Sequence, residues 1–404
     1  MTAAWLVFWV CLAQVLTQIG ANTWPVLLPH LLHEWSLSNS EAGWITGLMY
    51  AAYTLSVPFL VTATDRIDPK KIYLLGVSMT IAAHLGFALF ADGFWTAALF
   101  RALAGIGWAG TYMTGLKLLA DRVDGRMLSR ATAGHAASIG VSGALSFVLA
   151  DMIASRAGWE ASFFSAGVCA AAALLIALFA TPWQQAKPAP AGRMFEFGPV
   201  LRNRHAMAYS IAYCVHTWEM NALRGWAVAF LAWVAMATEA EHIWIAPAAV
   251  AMTMSLTGTG ASLFGNELSI RLGRQRLVRY AMSLSILAAA TIGFLGPASY
   301  SIAVAFVLGY GMLIWLDSSS LPAGAAGAAL PGRRGATLAI HSMLGYAGGF
   351  VGPLAIGVTL DMAGGMSHTG WGWAFASTAV VLLAGRIAFS ILRPRDLAGD
   401  RADG

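Results

Sequence analysis

One apolar stretch, residues 206–235, carries His216, Glu219 and Arg224, with Trp218, Asn221 and Trp226 alongside. His216 and Glu219 are three apart and share one face of a helix, and Arg224 returns to roughly the same side. A carboxyl in an apolar run can take up and release a proton, and a histidine titrates near neutral pH. Glu219 and His216 are therefore candidates for proton coupling. The competing assignment is a static ion pair, Glu219 with Arg224 or with Arg101, that locks helices together. Arg101 stands in an apolar run of its own, where its guanidinium could hold a carboxylate or phosphate through two parallel bonds. His135 and His341 occupy similar early positions in two other runs, as neutral core residues or as solute and proton contacts. Gln14, Gln18 and Asn22 follow at intervals of four and predict a polar stripe on one helix, continued by Trp24. Pro25 and Pro29 should loosen the outer end of that helix. Tyr112, Trp218, Arg224 and Trp315 complete the candidate solute contacts. Asp317, followed by Ser318, Ser319 and Ser320, reads as a polar helix end or a solute contact; Lys117 can snorkel, and Arg386 needs a partner.

Such groups are expensive in lipid, and lipid is where the composition puts them. Of 404 residues, 58% are hydrophobic and 11% charged, and the mean hydropathy is +0.67. Soluble chains carry about 25% charged residues. A bilayer needs roughly 20 apolar residues per helix, and the chain divides into twelve such segments: 4–32, 42–63, 72–91, 95–120, 131–154, 161–182, 206–235, 244–267, 277–295, 299–321, 336–360 and 371–392. Pro297 sets the break between the ninth and tenth. If both termini face the cytoplasm, all but five of the 24 Lys and Arg residues fall on cytoplasmic connections, span ends or the tail. The five are Arg101, Lys117, Arg224 and Arg386 within spans, and Arg156. This asymmetry predicts a multi-pass protein of the inner (cytoplasmic) membrane with both termini inside. It also accounts for the net charge of +5 without nucleic acid. The expected organisation is an N-terminal bundle at 1–182, a connection at 183–205, a C-terminal bundle at 206–393 and a cytoplasmic tail at 394–404. The two halves echo each other: Asp151-Met then Gly158-Trp159 after the fifth span, Asp361-Met then Gly372-Trp373 after the eleventh.

The connection after the second span reads Asp65-Arg66-Ile67-Asp68-Pro69-Lys70-Lys71 and resembles the D-R-x-G-R-R/K loop of the major facilitator superfamily. Asp68 and Pro69 depart from that pattern, as does Val61, where the motif opens with glycine. Arg101-Ala-Leu-Ala-Gly105-Ile-Gly107 resembles the family's R-x-x-x-G-x-G segment, and the run from Gly345 to Pro353 resembles its glycine-rich packing helices. The resemblance implies an all-α polytopic fold of twelve transmembrane helices in two pseudo-symmetric six-helix bundles. It implies a secondary active transporter working by alternating access, coupled to protons in our reading, and monomeric. Asp65, Arg66 and Lys70 would then gate, unless the basic residues only satisfy the charge asymmetry. The family's span-four arginine gives Arg101 proton coupling or helix packing as further roles. The expected partners are a small polar or anionic solute, protons and lipid. Efflux of drugs or metabolites is the alternative within the class. A transporter-like sensor or a polytopic enzyme is the alternative outside it. No enzyme is expected, since neither catalytic constellation nor phosphate loop is present. No cofactor or metal is expected either: Cys11, Cys169 and Cys214 lie inside apolar runs without ligand spacing.

Overall fold

The computed structural model describes residues 2–64, 66–183, 197–240, 243–396 and 400. Its helices are α1 Ala3–Gln18, α2 Thr23–Glu34, α3 Asn39–Ala63, α4 Pro69–Phe90, α5 Phe94–Ala120, α6 Gly125–Ala180, α7 Gly198–Leu201, α8 Arg204–Ala237, α9 Pro247–Leu272, α10 Arg274–Leu295, α11 Tyr300–Trp315, α12 Ser320–Gly327, α13 Arg334–Met362 and α14 His368–Leu392. Every predicted span has a helix. The first is α1 with α2, the tenth is α11 with α12, and α6 supplies both the fifth and the sixth. Gly158, at φ 87°, breaks α6 in two, and the Ser162 hydroxyl donates across that break to the Ala150 carbonyl at 2.8 Å. Among the described residues, nine helical stretches are long and apolar enough to cross a membrane, Arg130–Ala180 with length for two crossings. Helices α5 and α9 are long enough but less apolar, because they carry Arg101, Lys117, Glu267 and Arg271 among many small residues.

Local chemistry sets several boundaries. Asp68 caps α4 by accepting from the Lys70 amide at 2.8 Å, with Pro69 in the first turn where a missing N–H costs nothing. Ser299 and Ser367 cap α11 and α14 in the same way. The tenth span begins after a 3-10 turn at Gly296–Ala298, where Pro297 placed the break. The first span differs from expectation. It breaks at Ile19–Asn22, ahead of the prolines, and Pro25 falls in the first turn of α2, where proline fits.

The chain forms two compact units. Unit 1 is Met1–Leu37 with Leu48–Ala191, and unit 2 is Ser38–Gly47 with Gly192–Gly404. In unit 1, α4 lies against α5 with glycine facing glycine: a Cβ on Gly76 would meet the Gly110 backbone at 2.6 Å. In unit 2, α8 and α13 are as close. A Cβ on Gly348 would collide with the Cys214 carbonyl, and one on Gly352 with the Trp218 carbonyl. Small residues admit such approach where no hydrophobic force drives helices together. The start of α3 joins unit 2 through Asp361 at the end of α13. Its Oδ1 accepts from the Asn39 amide (3.1 Å) and side chain (2.8 Å), and its Oδ2 from the Ser40 amide (2.7 Å) and hydroxyl (2.5 Å). A carboxylate there also faces the positive end of the helix dipole. The C-terminal tail is docked on unit 2: Tyr209 donates to the Arg395 carbonyl at 3.0 Å, and Arg274 pairs with Asp400 at 3.2 Å.

Candidate functional site

Unit 2 contains a buried polar network built from α8, α11, α12 and α13. Helix α11 stops at Trp315 and α12 starts at Ser320, so the tenth span is interrupted mid-way. The interruption is pinned by Ser318 and Ser319, whose hydroxyls bond the Ser262 hydroxyl (2.6 Å) and carbonyl (3.0 Å) of α9. It turns Asp317 inward. The Asp317 carboxylate lies 3.0 Å from Nδ1 of His216, both side chains being nearly inaccessible. One helical turn along α8, Glu219 is 3% exposed. Its Oε2 accepts from the Tyr310 hydroxyl at 3.1 Å, and the Ser285 hydroxyl lies beside it. Glu219 forms no ion pair with Lys or Arg among the described residues. The static pair with an arginine is therefore absent there, and Arg224 instead lies over the Trp315 ring at 5.5 Å. Tyr213 stacks between His216 (5.8 Å) and His341 (4.1 Å), in a space that Gly345 leaves open. His341 Nδ1 is 3.4 Å from the Ser210 hydroxyl. Trp218 has its indole nitrogen buried without a hydrogen bond.

Unit 1 holds a second compartment. A small cavity is lined by Gln18, His84, Arg101 and Trp108, with Thr17, Thr80 and Met49. Arg101 is 2% exposed, and its Nε and Nη1 are buried without a hydrogen-bond partner. No ion pair to it occurs among the described residues. The break in α1 helps shape this space. A Cβ on Gly20 would sit 2.5 Å from the His84 ring, so the imidazole packs directly against the turn.

The other candidates are dispersed. The polar stripe of the first span does not continue through one helix. The break after Gln18 turns Asn22 toward α6, where its side chain donates to the Gly143 carbonyl at 2.8 Å and its amide to Ser146 at 2.9 Å. Trp24 is fully buried in an aromatic cluster with Trp35 and Phe87. His135 and Tyr112 are neighbours. Nε2 of His135 lies 2.9 Å from the Tyr112 carbonyl, which makes it the protonated nitrogen, and the rings stack at 5.6 Å. Among the loop residues, Asp65 lies outside the described residues, and Arg66 is exposed. Lys70 is 1% exposed. Its ammonium donates to the Leu178 and Thr181 carbonyls at 2.8 and 2.6 Å and lies over the Trp183 ring at 4.2 Å. That is a C-terminal cap on α6, inside unit 1.

The place of two residues in these groups is not legible from the sequence expectations. Asp317 reads as a polar helix end or a solute contact, and its pairing with His216 follows only from the interrupted helix that the serine run signals. His84 met the same test as His135 and His341, a histidine within an apolar run, and was passed over.

Residues 10–353 match the sequence profile of the Major Facilitator Superfamily. The uncharacterized MFS-type transporter YbcL of Bacillus subtilis (strain 168) is 23% identical over 198 residues, 47% of this chain and 49% of that protein. A second from the same organism, YwoD, is 24% identical over 115 residues, 28% and 25% of the two chains. The chain thus spans about half or less of the length of the curated relatives it matches. Among solved structures, a bacterial homolog of the human lysosomal transporter Spinster, inward-facing and occupied, superposes with a TM-score of 0.77 at 16% identity, covering 96% of both chains. The nucleoside transporter NupG, as its D323A mutant, gives 0.79 at 14% identity, covering 96% of this chain and 100% of that one. These likenesses are of fold. With twelve membrane helices, two compact units and a profile match over most of its length, the chain belongs to the Major Facilitator Superfamily.

Proposed function

We propose that this protein is a secondary active transporter that moves a small polar or anionic solute across the cytoplasmic membrane by alternating access, with Glu219 carrying the coupling proton and His216 in the same network. The observation that carries this reading is a carboxyl 3% exposed, bonded by a phenol and faced by no cation among the described residues. Charge at membrane depth is costly, and a carboxyl without a cation is suited to cycle with a proton instead. The His216–Asp317 pair beside it supplies a second group able to exchange one. A nucleoside transporter among the fold neighbours agrees with a small polar solute. The basic residues of the even-numbered connections support a cytoplasmic location for both termini. The family supports a monomer as the working unit.

The test is reconstitution in liposomes on solid-supported membranes, screening organic anions, cations and neutral solutes under imposed pH gradients. A solute-dependent current or pH change that disappears in Glu219→Gln, with thermal unfolding unchanged, is the expected result. Coupled transport that survives the substitution would make Glu219 a structural partner of Tyr310. Silence toward every solute would favour the sensor reading.

A further inference from the structure

We propose that the cavity of unit 1 is the seat for an anionic group of the solute, a carboxylate or a phosphate, with Arg101 as its counter-charge and Gln18 and His84 as neighbouring polar contacts. This deepens the transporter reading and rests on it. The argument begins with a charge that has nowhere to go. The Arg101 guanidinium is 2% exposed, and two of its three nitrogens are buried without a partner. A buried arginine with a structural purpose is paired, because an unpaired buried charge is among the most destabilising things a fold can hold.

Among the described residues, no acid lines the cavity. From α1 come Thr17 and Gln18, from α3 Met49, from α4 Thr80 and His84, and from α5 Trp108 beside Arg101 itself. Helix α6 brings Phe163 within 6.2 Å of the His84 ring. The ionisable lining is therefore one permanent cation and one imidazole. Thr17 and Thr80 use their hydroxyl protons on the Ala13 and Gly76 carbonyls, which leaves Gln18 and His84 to join Arg101. A planar guanidinium suits an oxyanion because it offers two parallel donors. The cavity volume is about 10 Å³, room for one water-sized group. An entering oxyanion must therefore push back the α1 turn around Gly20, whose backbone lies against His84.

The test is equilibrium binding to the purified full chain in detergent, read by thermal unfolding and tryptophan quenching, with Trp108 as a reporter in the cavity wall. The probes are charge-matched pairs, benzoate against benzamide and succinate against succinamide, with acetate, inorganic phosphate and phenyl phosphate added. Saturable responses to the anions and none to the amides are expected. Preference for carboxylates or for phosphates then names the source of the oxyanion. Arg101→Gln should weaken anion binding at least tenfold, while its unfolding temperature without ligand is no lower than that of the unaltered protein. Arg101→Lys keeps the charge and loses the fork, so it should bind more weakly with the same anion preference. Equal responses to benzoate and benzamide, or no saturable response to any anion, would overturn the proposal. So would anion binding that is unchanged in Arg101→Gln. If Arg101→Gln does not fold, the amide comparison and Arg101→Lys still decide. Proton-coupled uptake of a neutral solute with Arg101→Gln intact would remove this inference and leave the transporter reading standing.

Discussion

The two units hold opposite chemistry at comparable burial. Unit 1 encloses Arg101 and His84 with no acid lining their cavity. Unit 2 encloses Glu219 and Asp317 with His216 as the near base and Arg224 turned onto Trp315 instead. In the proposed reading, two halves that echo each other in sequence are specialised, one with a cation that needs a counter-charge from outside, one with carboxyls that can be neutralised by protons. The proposal thereby separates the binding of a charged solute from its coupling. A charge that enters with the solute and one that enters with the proton need different hosts. An anion is attracted by an unpaired guanidinium. A proton is best held by a carboxyl that no guanidinium has already neutralised.

The largest expected effect breaks the proton side. Glu219→Gln keeps a group that can accept from Tyr310 but cannot cycle a proton, so proton-driven uptake should fall by about a hundredfold, the scale typical of a positioned proton-transfer group. Unfolding temperature should stay near that of the unaltered protein, and transport assays alongside thermal unfolding check both. Next comes the internal pairing of the acids. His216→Gln leaves the Asp317 carboxylate buried without its partner and should cost about 3 kcal/mol. Asp317→Asn leaves only an imidazole, which can stay neutral, and should cost less. Adding Asp317→Asn to His216→Gln should restore part of the loss, the signature of a direct interaction in a double-mutant cycle. Equal and additive losses would show that the two side chains are not coupled.

In unit 1 the comparison is between a cation that is used structurally and one that is not. Lys70→Met removes two charge-assisted bonds to the end of α6 and should cost about 2 kcal/mol. Arg66→Gln, exposed, should change stability little. If Lys70→Met leaves stability intact and alters transport, the gating role expected from the loop motif gains support. The smallest effect is expected at Asp361→Asn. It loses the charge that faces the α3 N-terminus and should cost about 1 kcal/mol, measurable as a shift in unfolding temperature. The sequence echo would predict the same at Asp151, and the structure does not bear that out. That residue is exposed, so its substitution to asparagine should have no comparable effect.

Much of the fold was legible because lipid imposes long apolar runs, and these have a period and a length that can be counted. The twelve spans, the break at Pro297 and the glycine-lined contact of α13 with α8 all follow from local pattern. In the first span the prolines predict a loosened outer end, not the break that the structure shows. Pro25 falls in a first turn, where it fits, and the chain opens earlier at Ile19–Asn22. Lys70 was read from its loop motif, and a motif says nothing of which carbonyls its ammonium will find.

By itself, the sequence determined the solvent of this protein, the number of its spans, its family and the short roster of ionisable groups placed in lipid, because each of these follows from composition and spacing along one chain. Only the tertiary structure decided how that roster is partitioned. His216 meets Asp317, and His84 shares a cavity with Arg101, through contacts between different helices. The rotation of a helix about its axis and the place where it breaks are settled by packing against neighbours. Helical periodicity gives the faces of each helix and leaves open which face meets which.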